Sequence, residues 1–270
     1  MLNLGGTIDA STLDYPGKVA MVIFFRGCPL RCIYCHNHRL LSGEELVEEH
    51  TLEQKIQDAS PFISAVAFSG GEPFMQSGPL LRLASFAKNL GLEVGIETSG
   101  FYPYRIKKLS DMGLIDALFL DIKAPLSNPG LYKRITGRKD VVKHVKASLD
   151  HALHADFNLE IRTTVFRGLV GDNEIEEIAR SLSGFRGTYV IQEGVPDLAP
   201  EDNKDKLSGF SYDEIKEMGA IASQYVDHVM IRTKERGLEG VDQLPPVKTG
   251  GLPPEEASGL IDWSPLPEGQ

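Results

Sequence analysis

The chain has 270 residues, of which 41% are hydrophobic and 24% charged, with a formal net charge of −10. That length suits one large domain, since α/β barrels run undivided to roughly 200–250 residues, and no apolar run approaches the ~18 residues that a membrane helix needs. The acidic balance argues against a protein that tracks phosphate backbones, and the opening MLNLGGTIDASTLDYPGK has no basic segment followed by an apolar core, so a soluble, cytoplasmic protein is expected.

Read in chain order, an apolar run at 19–25 predicts a first strand, followed by Thr51 and Gln54 at capping-box spacing. A second strand is expected at 65–69. After it, Leu80, Leu81, Leu83, Ala84, Ala87 and Leu90 form one face of a helix that has Ser77 as N-cap and ends before Gly91. Strands follow at 93–97 and 117–121. Behind Asp140 as cap, Val141, Val142, Val145, Leu149, Ala152 and Leu153 make a second helical stripe, and strands at 159–165 and 189–195 come next. Ser211 and Glu214 have capping-box spacing, and 226–232 reads as a seventh strand or an edge strand.

Strands alternating with helices imply parallel β/α units. About six of them predict an α/β partial barrel, a (β/α)6 arrangement over residues 1–236. From Gly237 the sequence is dense in Pro and Gly without apolar periodicity, so 237–270 is expected to be a flexible tail, with Trp263 as a candidate anchor.

The three cysteines, Cys28, Cys32 and Cys35, fall within eight residues. An odd, tightly grouped set is a poor disulfide framework and a good set of thiolate ligands. The spacing C-x3-C-x2-C follows the first strand directly, at the strand end where β/α barrels build active sites. Three thiolates can hold three irons of a cubane, leaving the fourth open. Zinc completed by His36 or His38, and a redox pair of Cys32 with Cys35, are the alternatives.

With an aromatic residue at Tyr34, this motif resembles that of the radical S-adenosylmethionine (SAM) superfamily. The resemblance implies a barrel of the radical SAM type and a [4Fe–4S] cluster on the three cysteines, with the amino and carboxylate groups of SAM on the open iron. It further implies Tyr34 near the adenine and His36-Asn37 along the cofactor. Gly70-Gly71-Glu72-Pro73 is similar to the segment that receives the SAM amino group, and a glycine pair suits a backbone that approaches a ligand closely.

Within the superfamily the chain is similar to activating enzymes of glycyl radical enzymes, especially those of anaerobic ribonucleotide reductase. Thr12–Lys18 resembles their entry motif, Glu97-Thr98-Ser99-Gly100 a third-strand Asp-Thr-Asn-Gly segment, and Leu120-Asp121-Ile122-Lys123 a fourth-strand Asp-x-Lys segment. In pyruvate formate-lyase activases the last two segments make a monovalent cation site against the SAM carboxylate. That implies Glu97, Thr98 and Asp121 as cation candidates and Thr98, Ser99 and Lys123 as SAM candidates. Glu97 and Ser99 depart from the Asp and Asn of the pattern. Arg162 and Thr163 on the fifth predicted strand are further candidates for contact with SAM.

The implied chemistry is reductive cleavage of SAM to a 5′-deoxyadenosyl radical, with electrons from flavodoxin or ferredoxin, and abstraction of hydrogen from a glycine of the partner. No side chain beyond the cluster and SAM is then needed for catalysis, in keeping with the lack of an acid/base dyad. Two other readings are a radical SAM enzyme of small molecules or RNA, similar to the carboxy-deazaguanine synthases, and a zinc-binding adaptor.

Overall fold

The structure, a computed structural model, describes residues 1–241. In chain order its elements are β1 (Leu2–Ser11), β2 (Ala20–Phe25), β3 (Leu46–Val47), α1 (Glu49–Ala59), β4 (Ala65–Gly70), α2 (Ser77–Asn89), β5 (Glu93–Thr98), α3 (Pro103–Asp111) and β6 (Ala117–Asp121). There follow α4 (Pro129–Thr136), α5 (Val141–Ala152), β7 (Asn158–Val165), α6 (Asp172–Ser181), β8 (Thr188–Glu193), α7 (Glu201–Lys204), α8 (Tyr212–Ala222), β9 (Val229–Thr233) and β10 (Gly237–Gly240).

One ten-stranded sheet results, in the order β10-β9-β8-β7-β6-β5-β4-β2-β1-β3. From β2 through β9 in that order the pairings are all parallel, while β1 and β10 pair antiparallel with their neighbours. The six expected strands are all present, and the segment expected at 226–232 supplies a seventh parallel strand, β9. Among the described residues the end strands β3 and β10 are not paired with each other, so the barrel they form is partial and open along one side. Among the described residues no helix is long and apolar enough to cross a membrane.

Five local expectations change. β1 was not foreseen, because glycines, Asp9 and two register shifts break its alternation where it pairs with β2. The boundary expected at 237 falls too early: Gly237–Gly240 forms β10 against β9, and backbone pairing there needs no apolar side chains. The remainder of the expected tail, with Trp263, lies outside the described residues. The Thr51/Gln54 capping pair does not form, since α1 begins at Glu49, whose carboxylate accepts from Arg82 Nη2 at 2.7 Å, and Gln54 bonds Asp58 instead. Ser77 is the first residue of α2 and not its cap, because the 3₁₀ turn Pro73–Gln76 runs straight into the helix. Asp140 does precede α5, but its carboxylate takes Arg138 rather than the helix N–H groups, whereas the Ser211/Glu214 capping box forms as expected.

The two faces of the sheet carry different chemistry because strand side chains alternate. Met21, Ile23, Phe25, Val66, Phe68, Val94, Ile96, Leu118, Leu120, Ile161 and Ile191 point to the helices and are fully buried in the main core. The opposite, luminal face begins with small residues, Ala20, Ala65, Ala67, Gly95 and Ala117, packed with Val22, Phe24, Phe119 and Tyr15. Tyr15, from the Thr12–Lys18 segment, plugs the lumen at the N-terminal strand ends. Its ring meets Phe119 edge-on at 5.5 Å, and its hydroxyl donates to Glu93 Oε2 at 2.7 Å, beside the Lys18–Glu93 ion pair at 2.5 Å.

Gly95 leaves room for this plug, for a Cβ there would lie 2.7 Å from the Tyr15 ring and 2.9 Å from Phe119. Gly95→Val is therefore expected to destabilise the protein by about 1–3 kcal/mol through overpacking, measured by urea unfolding. Adding Tyr15→Ala should recover part of that loss; strict additivity of the two changes would contradict the plug.

Candidate active site

The loop from Gly27 to Asn37 lies over the C-terminal ends of the parallel strands, opposite the Tyr15 plug. It is held by its backbone: Gly27 N–H donates to Leu40 O at 2.7 Å, and Arg31 and Ile33 N–H donate to Thr136 and Ile135 O, each at 2.9 Å. Arg31 Nη1 folds back onto the carbonyls of Cys28 and Leu30 at 2.6 and 2.8 Å. Asn37 Nδ2 donates to Gly70 O at 3.1 Å, tying the far end of the loop to β4. Cys28, Cys32 and Cys35 are all partly exposed and free of disulfides.

Gly70 and Gly71 set the height of this loop. Gly70 has φ +112°, and a Cβ on it would lie 2.4 Å from Phe25 N and O; one on Gly71 would lie 2.2 Å from Gly27 O. The glycine pair thus admits the backbone of the cysteine loop. Gly71 and Glu72 N–H groups donate to Phe25 and Gly27 O at 2.8 and 2.9 Å.

Glu72 is fully buried. Its carboxylate accepts from Thr98 Oγ1 (2.9 Å), Ser99 N–H (2.9 Å), Ser99 Oγ (2.5 Å) and Phe74 N–H (3.2 Å). Burial raises its pKa, and these hydrogen bonds from Ser99, Thr98 and Phe74 oppose the rise. Thr98 and Ser99 are therefore engaged with Glu72. Thr163 likewise faces the helices, donating to Ile122 O at 2.8 Å and accepting from Tyr189 at 3.1 Å.

The groups that do face the lumen are charged. Glu97 accepts from Arg162 Nη1 at 2.5 Å and from the Ser69 hydroxyl. Arg162 also bonds Glu160 through Nε at 2.5 Å and lies over the Phe119 ring at 4.3 Å. Burial works to lower the pKa of Arg162, but Glu160 and Glu97 outweigh it and hold the guanidinium charged. Lys123 pairs with Asp121 at 2.7 Å; burial disfavours its charge, yet Asp121, Cys32 and Tyr34 together raise its pKa well above the usual lysine range. Asp14 is raised by burial and then by Glu97, while burial and then Arg162 bring Arg232 down to about 10. Asp14, Glu160 and Arg232 were not singled out from the sequence. The Glu160-x-Arg162 alternation on one strand was the available signal, together with Asp14 inside the Thr12–Lys18 motif.

Burial pushes the thiols up, Cys28 to about 12 and Cys35 to about 11, with Cys32 raised as well and Lys123 opposing the rise at all three. His36 is lowered by burial to about 4, so its ring is neutral. Tyr34 stacks on Phe166 with centroids 5.1 Å apart, and among the described residues its buried hydroxyl has no hydrogen-bond partner; Arg162 Nη2 is likewise buried without one there. Among the described residues no three or more His, Cys, Asp or Glu side chains are gathered as a single-ion centre requires. Three unbridged thiols on one loop, above a lumen with a buried, unpartnered donor in Arg162, fit a polynuclear cluster and a polar cofactor beside it.

Residues 22–182 match the family model of the radical SAM superfamily. A protein of Methanocaldococcus jannaschii provisionally named a glycyl-radical enzyme activating enzyme is 32% identical over 235 residues, covering 85% of this chain and 95% of its own. The pyruvate formate-lyase-activating enzyme of Clostridium pasteurianum is 32% identical over 196 residues, 67% of this chain and 76% of that one. Among solved structures, TYW1 with a lysine–pyruvate adduct bound superposes with a TM-score of 0.56 at 17% identity, covering 83% of this chain and 80% of that chain, a likeness of fold. The chain belongs to the radical SAM superfamily, and within it to the glycyl-radical enzyme activating enzymes.

Because Glu72 joins the ends of β4 and β5, Glu72→Ala is expected to leave buried donors at Ser99 and Thr98 unpaired. The cost should be about 3 kcal/mol in urea unfolding, with Glu72→Gln losing less because it keeps one acceptor oxygen. An unfolding midpoint unchanged in both variants would remove the joint.

Proposed function

We propose that this protein holds one [4Fe–4S] cluster on Cys28, Cys32 and Cys35, binds SAM beside it, and installs a glycyl radical on a partner enzyme, with anaerobic ribonucleotide reductase as that partner. The observation that carries the reading is a single loop with three unpaired cysteines over a polar lumen that is open on one side. Relatives of nearly the same length as the chain support the reaction class. When bound, the cluster and SAM supply one-electron cleavage of SAM and a 5′-deoxyadenosyl radical able to take hydrogen from carbon. Electrons come from a flavodoxin or a ferredoxin, and the enzyme acts in the cytoplasm.

The residues of the chain then have binding and positioning tasks. Lys123, charged and next to Cys32, offsets the negative charge that three thiolates bring into a buried site. Tyr34 and Phe166 provide an aromatic wall for a flat adenine ring, with His36 and Asn37 following along the cofactor. The backbone of Gly70 and Gly71 offers carbonyls toward the SAM amino group. Arg162 lends a buried donor for its carboxylate. The gap between β3 and β10 admits a peptide loop, and the Tyr15 plug keeps water from entering by the opposite end.

Anaerobic reconstitution with iron and sulfide, followed by electron paramagnetic resonance, tests this. The reduced wild type should give a [4Fe–4S]⁺ signal that changes when SAM is added, and addition of the reductase should give a glycyl doublet. Cys28→Ala, Cys32→Ala and Cys35→Ala should each lose the cluster. A SAM-responsive cluster without the doublet would keep the superfamily chemistry and remove the reductase as partner; a protein that binds zinc in place of iron would sink the whole reading.

A further inference from the structure

The monovalent cation expected beside Glu97 does not fit the site. Its three expected ligands do not converge: Glu97 faces the lumen, while the neighbouring Thr98 faces the helices, donating to Glu72 and accepting from Gly100 N–H at 3.1 Å. The Asp121 carboxylate is paired with Lys123. Glu97 already holds a positive charge, the Arg162 guanidinium at 2.5 Å.

We infer that Arg162 supplies from within the chain the charge that a monovalent cation supplies in pyruvate formate-lyase activases, so that SAM binding here needs neither potassium nor sodium. The inference rests on the reading of the site as a SAM site. β5 and β7 are separated by β6, a gap of about 10 Å at ordinary strand spacing. Two long side chains bridge it: Arg162 reaches across the Phe119 ring of β6, and Glu97, one methylene longer than the aspartate of the related motif, meets it. Glu160 holds the guanidinium from its own strand, and Arg162 is only 4% exposed, so its position is set by packing and by both carboxylates. Nη1 and Nε are spent on Glu97 and Glu160, which leaves Nη2, buried and without a partner among the described residues, as the donor for the SAM carboxylate. A metal cation at the same place would sit against a guanidinium of like charge.

The test measures SAM affinity of the reconstituted holoenzyme in potassium, sodium and tetramethylammonium chloride at equal ionic strength. Wild-type affinity is expected to agree within about twofold across the three salts, and Arg162→Met to lose about tenfold or more, with partial recovery on adding guanidinium ion. Wild-type binding that collapses in tetramethylammonium and returns with potassium would overturn the inference. So would wild-type affinity in Arg162→Met. Should Arg162→Met fail to retain its cluster, the wild-type salt series decides alone. Failure of SAM to perturb the cluster signal in any salt would instead count against the SAM site itself.

Discussion

The contact between Gly71 and Gly27 governs the rest of the site. Two backbones meet where a Cβ would lie 2.2 Å from a carbonyl oxygen, so the cysteine loop can descend onto β4 only if that position has no side chain. Gly70, with φ +112°, makes the same close approach to Phe25. Once the two backbones are in register, Asn37 reaches Gly70 O and Glu72 turns inward to Thr98 and Ser99. Three strand ends are thereby joined through one tetrapeptide, and the cysteines inherit their height above the lumen from that junction.

Below the loop, the lumen sorts its chemistry by depth. Alanines and a glycine at the N-terminal strand ends give way to Tyr15, and above them come Ser69, Glu97, Glu160 and Arg162. A buried network of this kind is costly to break, about 3–5 kcal/mol when one partner is removed, because the remaining charge is left without compensation. It also holds long side chains still. For hydrogen abstraction that stillness is useful, since the protein has only to hold two carbons close together in a dry space.

Much of the frame was legible because strand and helix signals here are local. The strand at 117–121 has the same limits in the structure, and the others lie within three residues of their expected ends. The misses have local causes as well. β1 is rich in glycine and bulged, and β10 is held by backbone pairing alone, so neither carries an apolar pattern. Ser77 lost its capping role to a 3₁₀ turn that the sequence does not distinguish from the first turn of a helix.

By itself, the sequence determined which atoms are available to a cofactor: three cysteines at C-x3-C-x2-C after a strand, a glycine pair after the next, and charged residues at the ends of those that follow. Period and spacing carry such information because they are properties of neighbouring residues. Only the tertiary structure decided which way each charged group turns and whom it meets. Glu72, Thr98 and Ser99 close on one another, and Glu97 meets Arg162 across an intervening strand. The physical reason is that burial favours charges that find a partner, and the partner is chosen by distance in the folded sheet, where residues 65 positions apart come within hydrogen-bond reach.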